Sequence, residues 1–403
     1  MAPEADPGTS NSMQPPTIFA PGYEKAKLLD PALAATYMAH MRVGDPLADA
    51  VMRDLEGMGQ AETARLFRAA FQQEDAVLRD APPSLQRFVH EVSTVPAWYD
   101  RETAYHGCRV FLHNSDQFLA AFAAGAIVEG FSTRISKSFA ITGRMIDDGV
   151  RRLKQNLRHL LDIFLPRGVE PSGDGWKLTL RIRIVHARVR ALLKESEEWE
   201  RDNWGLPVSA AHVALASAAF SARLIQLAEK LGARFYSDDD REAFMSVWCY
   251  DAWLMGVPDT LLFHSQAEGL RLFELGSVCE PPPDEDAIAL ANCIVNSAPV
   301  VIGVTEPVAR AEFAQYAYRI ARELVGDATA DRLMFPPRQR LPILPWLRMQ
   351  ERLKRGFGRF FPILGKLQRR RSFTHILSLT DLGGAGITYD LPDHVRSDMS
   401  SRW

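Results

Sequence analysis

One stretch of the sequence places a single histidine among arginines inside an apolar pattern. Residues 178–193 read LTLRIRIVHARVRALL, with His186 as their only histidine. The first half alternates apolar and polar residues as a half-buried strand does, whereas apolar residues recur at spacings of three and four along the whole stretch. The second pattern favours a largely buried helix. On that helix His186 faces apolar neighbours, and Arg183 and Arg190 lie one turn to either side.

The chemistry open to this histidine depends on its surroundings. Haem requires a neutral imidazole as axial ligand, an apolar slot for the porphyrin and cations for two propionates, and this helix supplies all three residue types. A core histidine hydrogen-bonded to a carbonyl, with the arginines in solvent, fits the same spacing and is the commoner arrangement in proteins. The residues alone leave both interpretations open.

Helical patterns dominate the chain that must position this stretch. Alanine, leucine, arginine and glutamate are abundant, β-branched runs are scarce, and no internal repeat or sustained heptad occurs. The candidate helices span 46–77, 83–92, 101–113, 116–130, 144–164, 207–232, 239–256, 284–297, 306–325 and 346–355. We therefore predict an all-α protein with a disordered segment at 1–20, a single multi-helix domain at 21–345 and a basic amphipathic extension at 346–403.

Composition and charge exclude several classes of protein. The 403-residue chain has a net charge of −3 and 47% hydrophobic residues, which argues against a nucleic-acid partner and allows a sizeable core. Its four scattered cysteines form no CxxC pair, as expected in a reducing compartment. The N-terminus lacks the features of a secretory signal, and the longest apolar run, 118–128, is too short to span a bilayer. We expect a soluble, cytoplasmic protein.

Five segments match, in order, the motifs of one known family. STVPAWYDRETAYHGCRVF (93–111) carries a P-x-W-x-D element, TGRMIDDGVRRLKQN (142–156) an arginine helix and TLRIRIVHARVRALL a histidine helix. DNWGLPVSAAHVALASAAFS (202–221) is similar to a W-G-x-P-I-N segment and SVWCYDAWLMGVPDTLL (246–262) to an L-G-V-P segment. Together they resemble the latex-clearing-protein (rubber oxygenase) family, which includes the oxygenase that cleaves the farnesyl chain in mycophenolic acid biosynthesis. The resemblance covers residues 90–265 well and the flanks loosely.

The resemblance implies a haem b protein with a globin-like helical core, in which His186 is the proximal iron ligand and O₂ oxidises or cleaves an alkene. The family carries an arginine followed four residues later by a threonine beside the haem. Arg152 fits the arginine, whereas Asn156 stands at the threonine position and Gln155 where some relatives have a lysine. We expect Arg152 to neutralise a propionate or polarise bound oxygen, and Asn156 to donate a hydrogen bond. A solvated helix arginine is the alternative for Arg152.

Further charged residues are candidates for the same site. Arg183 and Arg190 are expected to pair with haem propionates or with a buried acid. Glu129 is either a distal base beside the substrate or a carboxylate that meets water at the end of its helix. Asp251 lies in an apolar helix, and we expect it to pair with an arginine such as Arg183 or Arg190, or to face a substrate cavity.

The C-terminal part of the chain is basic and partly apolar. Segment 351–371 mixes eight lysines and arginines with phenylalanines. It is a candidate peripheral membrane contact, or else an exposed basic helix packed through its phenylalanines. Arg338 or Arg340 is a further candidate for binding a propionate.

The resemblance leads to one main prediction and two alternatives. We predict a haem b-dependent oxygenase, cytoplasmic and at most peripheral to a membrane, that uses O₂ on a small apolar substrate of isoprenoid or lipid-like character. One alternative is a protein that senses or carries haem without turnover. The other is a helical interaction protein in which His186 belongs to the core.

Overall fold

The computed structural model describes residues 14–142 and 149–360, with the isolated positions 378, 380 and 395. Within these residues the chain is helical and forms no strand. Two π-helical turns, Phe122–Ala126 and Ala219–Arg223, interrupt longer helices. The α-helices are α1 Ala20–Leu29, α2 Pro31–His40, α3 Pro46–Asp54, α4 Gln60–Gln72, α5 Asp75–Leu78, α6 Pro83–Ser93, α7 Arg101–His113, α8 Ser115–Ala121, α9 Ile127–Phe131, α10 Ile135–Ile141, α11 Gly149–Ile163, α12 Asp174–Lys194, α13 Arg201–Trp204, α14 Ala210–Ala218, α15 Leu224–Lys230, α16 Asp238–Leu254, α17 Gln266–Cys279, α18 Glu285–Val301, α19 Pro307–Val325, α20 Asp327–Arg332 and α21 Leu344–Phe360. The prediction of an all-α, single-domain protein is confirmed.

The helix bounds agree with the sequence patterns where local signals are strong. Helix α7 has the predicted bounds, and the stretch 178–193 lies inside α12, so that it is a helix and not a strand. The predicted helix 46–77 is instead three helices, α3 to α5. The chain turns at Gly57 and at Gln73, which have φ values of 78° and 56° and end the helical path.

Helices α11 and α12, which carry most of the candidate residues, form an antiparallel pair joined by a turn at 164–173. Next to the turn, the Gly175 backbone lies against Asp162. One turn further from the connection, the His159 ring of α11 bonds with the Thr179 hydroxyl of α12 at 2.9 Å. The two contacts follow one antiparallel register, so the buried faces of the two helices oppose each other.

The same register relates the candidate residues of the two helices. His186 lies seven residues after Thr179 on α12, and Arg152 lies seven residues before His159 on α11. Seven residues are two helical turns, roughly 10 Å at 1.5 Å per residue. His186 therefore comes level with Arg152 along the helix pair.

The predicted domain limits at 20 and 345 do not coincide with the ends of the elements. A 3₁₀ turn at Thr17–Phe19 precedes α1, and its Phe19 side chain is completely buried. At the other end, α21 begins at Leu344 and continues across the predicted limit to Phe360. The packed helical domain therefore includes residues on both sides of the predicted boundaries.

The centre of the fold contains one helical unit with the length and composition of a membrane span. This unit, Ala210–Lys230, is 78% buried inside the protein. Ser115–Phe131 and Ile135–Ile141 pass the same test only together, and they are bent by 82°. Burial within the domain identifies Ala210–Lys230 as a central helix of the packed core.

Two long helices, α7 and α16, approach each other closely. Gly107 of α7 makes this possible, because a Cβ atom there would overlap the backbone carbonyl of Ala243 in α16. A backbone cannot move aside as a flexible side chain does. The absence of a side chain at this position therefore sets the distance between the two helices.

Gly107→Ala tests this contact. We expect the substitution to lower the free energy of unfolding by about 1–3 kcal/mol, because overpacking outweighs the better helix propensity of alanine. Urea denaturation measures the change. Gly356→Ala is the matched control, since a Cβ at Gly356 of α21 meets no atom within 4 Å. The control should be neutral or stabilising, and an equally stabilised Gly107→Ala variant would show that the helices are not in close contact.

Candidate functional site

His186 lies on α12 and has a ring nitrogen without a hydrogen-bond partner. Its Nδ1 atom is buried and unpaired among the described residues, while the residue as a whole is half-buried. Burial, with a smaller contribution from the positive charge of Arg190, lowers the pKa of the imidazole to about 4. The ring is therefore neutral at neutral pH, in the form that binds a metal. Neither ring nitrogen bonds to a carbonyl of the described chain, as a core histidine would.

Arg183, three residues before His186, is buried and held by a carboxylate from α3. Its Nε and Nη2 atoms donate to the two oxygens of Asp45 at 2.6 and 3.0 Å, and Nη1 donates to the Leu254 carbonyl at 3.1 Å. Gly256 closes the site with a φ of 87°, and a Cβ there would collide with both side chains of the pair. The sequence LMGVP, one of the five motif segments, thus encloses a buried guanidinium.

Arg190, four residues after His186, is held in the same way. Its Nε and Nη2 atoms donate to Asp49 at 2.7 to 3.1 Å, and Nη1 donates to the Val208 carbonyl at 2.6 Å. Gly44 lies directly against the guanidinium and leaves no room for a side chain. Val208 belongs to the WGLPVS segment, so a second motif supplies a carbonyl to a buried arginine of α12.

Arg183 is therefore the counter-ion of a buried acid, Asp45, which is one of the two roles expected from the sequence, and Arg190 is the counter-ion of the partly exposed Asp49. Their exposed fractions are only 5% for Arg183 and 3% for Arg190, so each charge requires its partner. The role of these arginines in binding haem propionates stays a prediction, and in this arrangement both charges are already neutralised.

Sequence reasoning missed Asp45 and Asp49, the acids that make this possible. They lie more than 130 residues before their partners, so no local pattern joins them. A signal was present in retrospect: Asp45 caps the start of α3 before Pro46, and Asp49 follows one turn later on the same helix.

Arg152 and Asn156 lie on α11, where the helix register places Arg152 level with His186 and Asn156 one turn nearer to the connection at 164–173. The Asn156 side-chain amide donates to the Arg152 carbonyl at 2.9 Å, as their spacing of four residues predicts. The Arg152 guanidinium stacks over the Phe139 ring at 4.3 Å from its centroid, and Phe139 packs edge-on against Phe131. The positive charge of Arg152 thus lies beside an apolar surface of two aromatic rings, Phe139 and Phe131, which we call the aromatic wall. The amide donor of Asn156 lies on the same helix.

The structure corrects the partner expected for Asp251. This aspartate is 1% exposed and pairs with no arginine of the described chain. It accepts a hydrogen bond from the Thr179 hydroxyl at 2.5 Å, and its other contact is the His159 ring nitrogen at 3.2 Å. The three residues come from α16, α12 and α11. These hydrogen bonds hold α11, which carries Arg152, against α12, which carries His186.

Glu129 is held by an arginine that does not belong to the group formed by His186, Arg183 and Arg190, which we call the histidine cluster. Arg223 donates from Nε and Nη2 to the two carboxylate oxygens at 2.9 and 2.7 Å, and the glutamate side chain is 10% exposed. The carboxylate is thus ion-paired rather than solvated at a helix end. Its role as a distal base stays a prediction, and this geometry does not present the free carboxylate that the role needs.

Arg338 and Arg340, the other candidates for binding a propionate, are exposed, and another buried histidine lies on α14. His212 is a buried histidine whose ring contacts Glu280 at 3.0 Å and Ser209 at 3.3 Å. Arg338 is exposed and pairs with Asp327 at 2.9 Å, and Arg340 is exposed as well. Of the segment 351–371, residues 361–371 lie outside the described residues.

The candidate ligands of this site suit a metal ion that a cofactor ring already holds, not a metal ion bound by protein side chains alone. Among the described residues, no group of three or more His, Cys, Asp or Glu side chains is arranged to hold a metal ion. A porphyrin supplies four nitrogen ligands itself and requires a neutral axial imidazole from the protein. His186 is such an imidazole, with a buried nitrogen whose bonding capacity is unused.

The fold and the site define an all-α protein with one candidate axial histidine, and comparisons with known proteins identify the family. The sequence profile of the family described as "ER-bound oxygenase mpaB/B'/Rubber oxygenase, catalytic domain" matches residues 108–363. The chain belongs to this family. The matched range includes Arg152, Asn156 and His186, but not α3 with its two aspartates.

Two individual relatives agree with this assignment. The rubber oxygenase of Streptomyces sp. (strain K30) is 24% identical over 225 residues, 54% of this chain and 54% of the relative. The match thus spans about half the length of that curated relative. The solved structure of latex clearing protein LCP in the closed state has a TM-score of 0.60 and 18% identity, covering 84% of this chain and 90% of that chain. It shows the shared fold, and the family resemblance read from the five segments is confirmed.

Asp45→Asn tests the buried pair beside His186. Asparagine keeps the shape of the side chain and an oxygen that caps α3, but it removes the charge facing Arg183. Because a buried guanidinium is then left without a counter-ion, we expect the free energy of unfolding to fall by about 3 kcal/mol or more. Urea denaturation measures this. Glu62→Gln, at an exposed pair with Arg65, should leave the midpoint unchanged.

The same pair predicts a specific acid sensitivity. Burial by itself raises the pKa of Asp45, but the charge and hydrogen bonds of Arg183 outweigh it and hold the pKa below its ordinary value. A carboxyl with a lowered folded pKa stabilises the fold fully above its unfolded pKa of about 3.9, and this stabilisation is lost as pH falls through the folded value. The difference in stability between wild type and Asp45→Asn should therefore be constant above about pH 5 and shrink below about pH 4. If the stability difference between wild type and Asp45→Asn did not change with pH, the ion pair between Asp45 and Arg183 would be contradicted.

Proposed function

We propose that this protein is a haem b-dependent oxygenase that uses O₂ to oxidise or cleave an alkene of isoprenoid or lipid-like character. The proposal rests on His186, a neutral, buried imidazole with an unpaired nitrogen, located inside the range that matches an oxygenase family. In this proposal His186 is the axial ligand. Haem, when bound, supplies the iron at which oxygen is activated.

The residues of this chain have separate tasks in the proposed reaction. The ion pairs of Arg183 and Arg190 hold α12 so that the His186 ring keeps one orientation. Arg152 and Asn156 supply a positive charge and an amide donor on the opposing helix, where they stabilise negative charge or orient a polar group. Phe139 and Phe131 form an apolar surface beside them, which favours an apolar substrate and excludes water.

The substrate and the cellular location are parts of the same proposal. The name of the curated relative refers to rubber, an isoprenoid polymer, and the aromatic wall suits a hydrocarbon chain. We place the protein in a reducing compartment, the cytoplasm. None of its four cysteines forms a disulfide bond, and burial raises the pKa values of their thiols.

The proposal predicts a visible spectrum that depends on His186. Protein expressed with haem supplementation should show a Soret band, and His186→Ala should lose it or bind haem at a much lower ratio. His186→Gly should recover the band when free imidazole is added, because the small ligand occupies the space of the missing ring. Absorbance and haem content per chain measure the result, with circular dichroism as the check that each variant is folded.

A matched control separates ligation from folding. His212→Gln replaces another buried histidine of the same matched range, one whose ring nitrogens already have partners, and it should keep the Soret band. A colourless wild-type protein after supplementation would refute the haem assignment. If the haem-loaded protein consumes no O₂ with any isoprenoid alkene, the oxygenase assignment fails and the non-catalytic haem protein remains.

A further inference from the structure

Helix α21 is fixed on the surface of the domain in one orientation. The Glu323 carboxylate accepts hydrogen bonds from the backbone of Ile343 at 2.6 Å and of Leu344 at 3.1 Å, which satisfies the free N–H groups where the helix begins. Both apolar side chains are buried. Further along the helix, Arg355 donates to Asn114 at 3.4 Å. The inner face of α21 is thereby attached to the domain at both ends.

The opposite face of α21 presents a continuous apolar stripe to solvent. Trp346, Met349 and Leu353 follow one another at spacings of three and four, and 54%, 45% and 66% of their surfaces are exposed. Leu341, just before the helix, is 77% exposed. Elsewhere in the described chain the exposed large apolar residues are fewer per segment, and the largest group is Val300, Ile302 and Val308. The four residues at 341–353, which we call the α21 face, are therefore a patch rather than normal scatter.

The α21 face lies within a strongly basic stretch of a weakly acidic chain. Residues 338–355 contain six arginines and lysines and one acid, Glu351, whereas the whole chain has a net charge of −3. Glu351 is paired with Lys354 at 2.8 Å. Arg348 and Arg352, both exposed, make no ion pair with a described residue. The stem of Arg348 lies against Gly232 at the edge of the inner face, so its charged end is free to reach outward. An apolar stripe on a helix that also carries two exposed arginines without an ion pair in the described chain has the chemistry of a helix that lies in the interface of an anionic bilayer.

We infer that the α21 face docks on the surface of a membrane that contains anionic lipid, with Trp346, Met349 and Leu353 in the headgroup region. A second copy of the chain is less suited to cover the α21 face, because the basic stretches of the two copies would lie against each other and repel. Four exposed side chains also cover far less than the roughly 1,000 Å² that a stable protein interface buries. The inference does not depend on haem and goes beyond the proposed function. It places the protein where apolar substrates are dissolved.

Co-sedimentation of the full-length protein with vesicles tests this inference. We expect binding to vesicles of phosphatidylcholine mixed with phosphatidylserine, weak binding to phosphatidylcholine alone, and release as salt concentration is raised. Arg348→Gln with Arg352→Gln should weaken the binding about 30-fold, from about 1 kcal/mol for each charge near an anionic surface. Trp346→Ser with Leu353→Ser should reduce it at least as much, at unchanged salt dependence.

The controls use exposed apolar residues away from the α21 face. Leu28→Ser and Leu29→Ser, both on α1, remove side chains that are 86% and 54% exposed, and both variants should bind vesicles as wild type does. Wild-type protein that stays in the supernatant with the mixed vesicles overturns the inference, as does full binding by Trp346→Ser with Leu353→Ser. A wild-type dimer in light scattering that becomes a monomer in this variant, without vesicle binding, assigns the face to a second copy instead. Because α21 lies outside the histidine cluster, the Soret band reports on the proposed function separately.

Discussion

The arrangement of the site depends on two buried ion pairs between α3 and α12. A guanidinium stays protonated even in a protein core, and burying it without a partner costs more than the stability of a typical domain. Helix α12 brings two of them inside, Arg183 and Arg190, one turn before and one turn after His186. The carboxylates of Asp45 and Asp49 are what allow this helix to be buried at all. The position of α3, which lies outside the matched family range, follows from that requirement.

The same pairs explain two motif segments that have no obvious chemistry of their own. Each guanidinium has donors left after it has bound its carboxylate, and a backbone carbonyl accepts from one of them in each case. The LMGVP and WGLPVS segments deliver these carbonyls, and glycines at Gly256 and Gly44 permit the approach. Each segment contributes its backbone path rather than a reactive side chain. Their function is to complete the surroundings of the histidine helix.

The sequence predicted those parts of the structure whose causes are local. Helix α7 could be placed from its apolar spacing and from Asp100, which caps its start, and α12 could be distinguished from a strand by following the apolar period over the whole stretch. The division of 46–77 was missed because Gln73 has no composition signal for its left-handed backbone. For the site, the helical stripe of His186 was predictable, but the partners of Asp251 and of both arginines were not. Contacts between residues far apart in the chain leave no trace in the periodicity of either segment.

The electrostatic surroundings of His186 favour ligation over protonation. Burial and the positive charge of Arg190 both disfavour a charged imidazole, and the negative charge of Asp45 opposes them only in part. Because each arginine is neutralised by its own carboxylate, the ring sits beside two ion pairs rather than two free cations. The cluster thus keeps the imidazole neutral while adding little net positive charge that would repel a metal ion.

Asn156, at the position where the family usually has threonine, changes what the opposing helix can donate. A threonine in a helix commonly gives its single O–H to the carbonyl four residues earlier, and it then has only acceptor capacity left. The Asn156 amide makes the same bond to the Arg152 carbonyl but carries a second N–H. Together with the Arg152 guanidinium, which is level with His186, this N–H gives α11 a second donor group one helical turn away. The departure from the family pattern therefore keeps the local helix bond and adds a donor for a polar or negatively charged group.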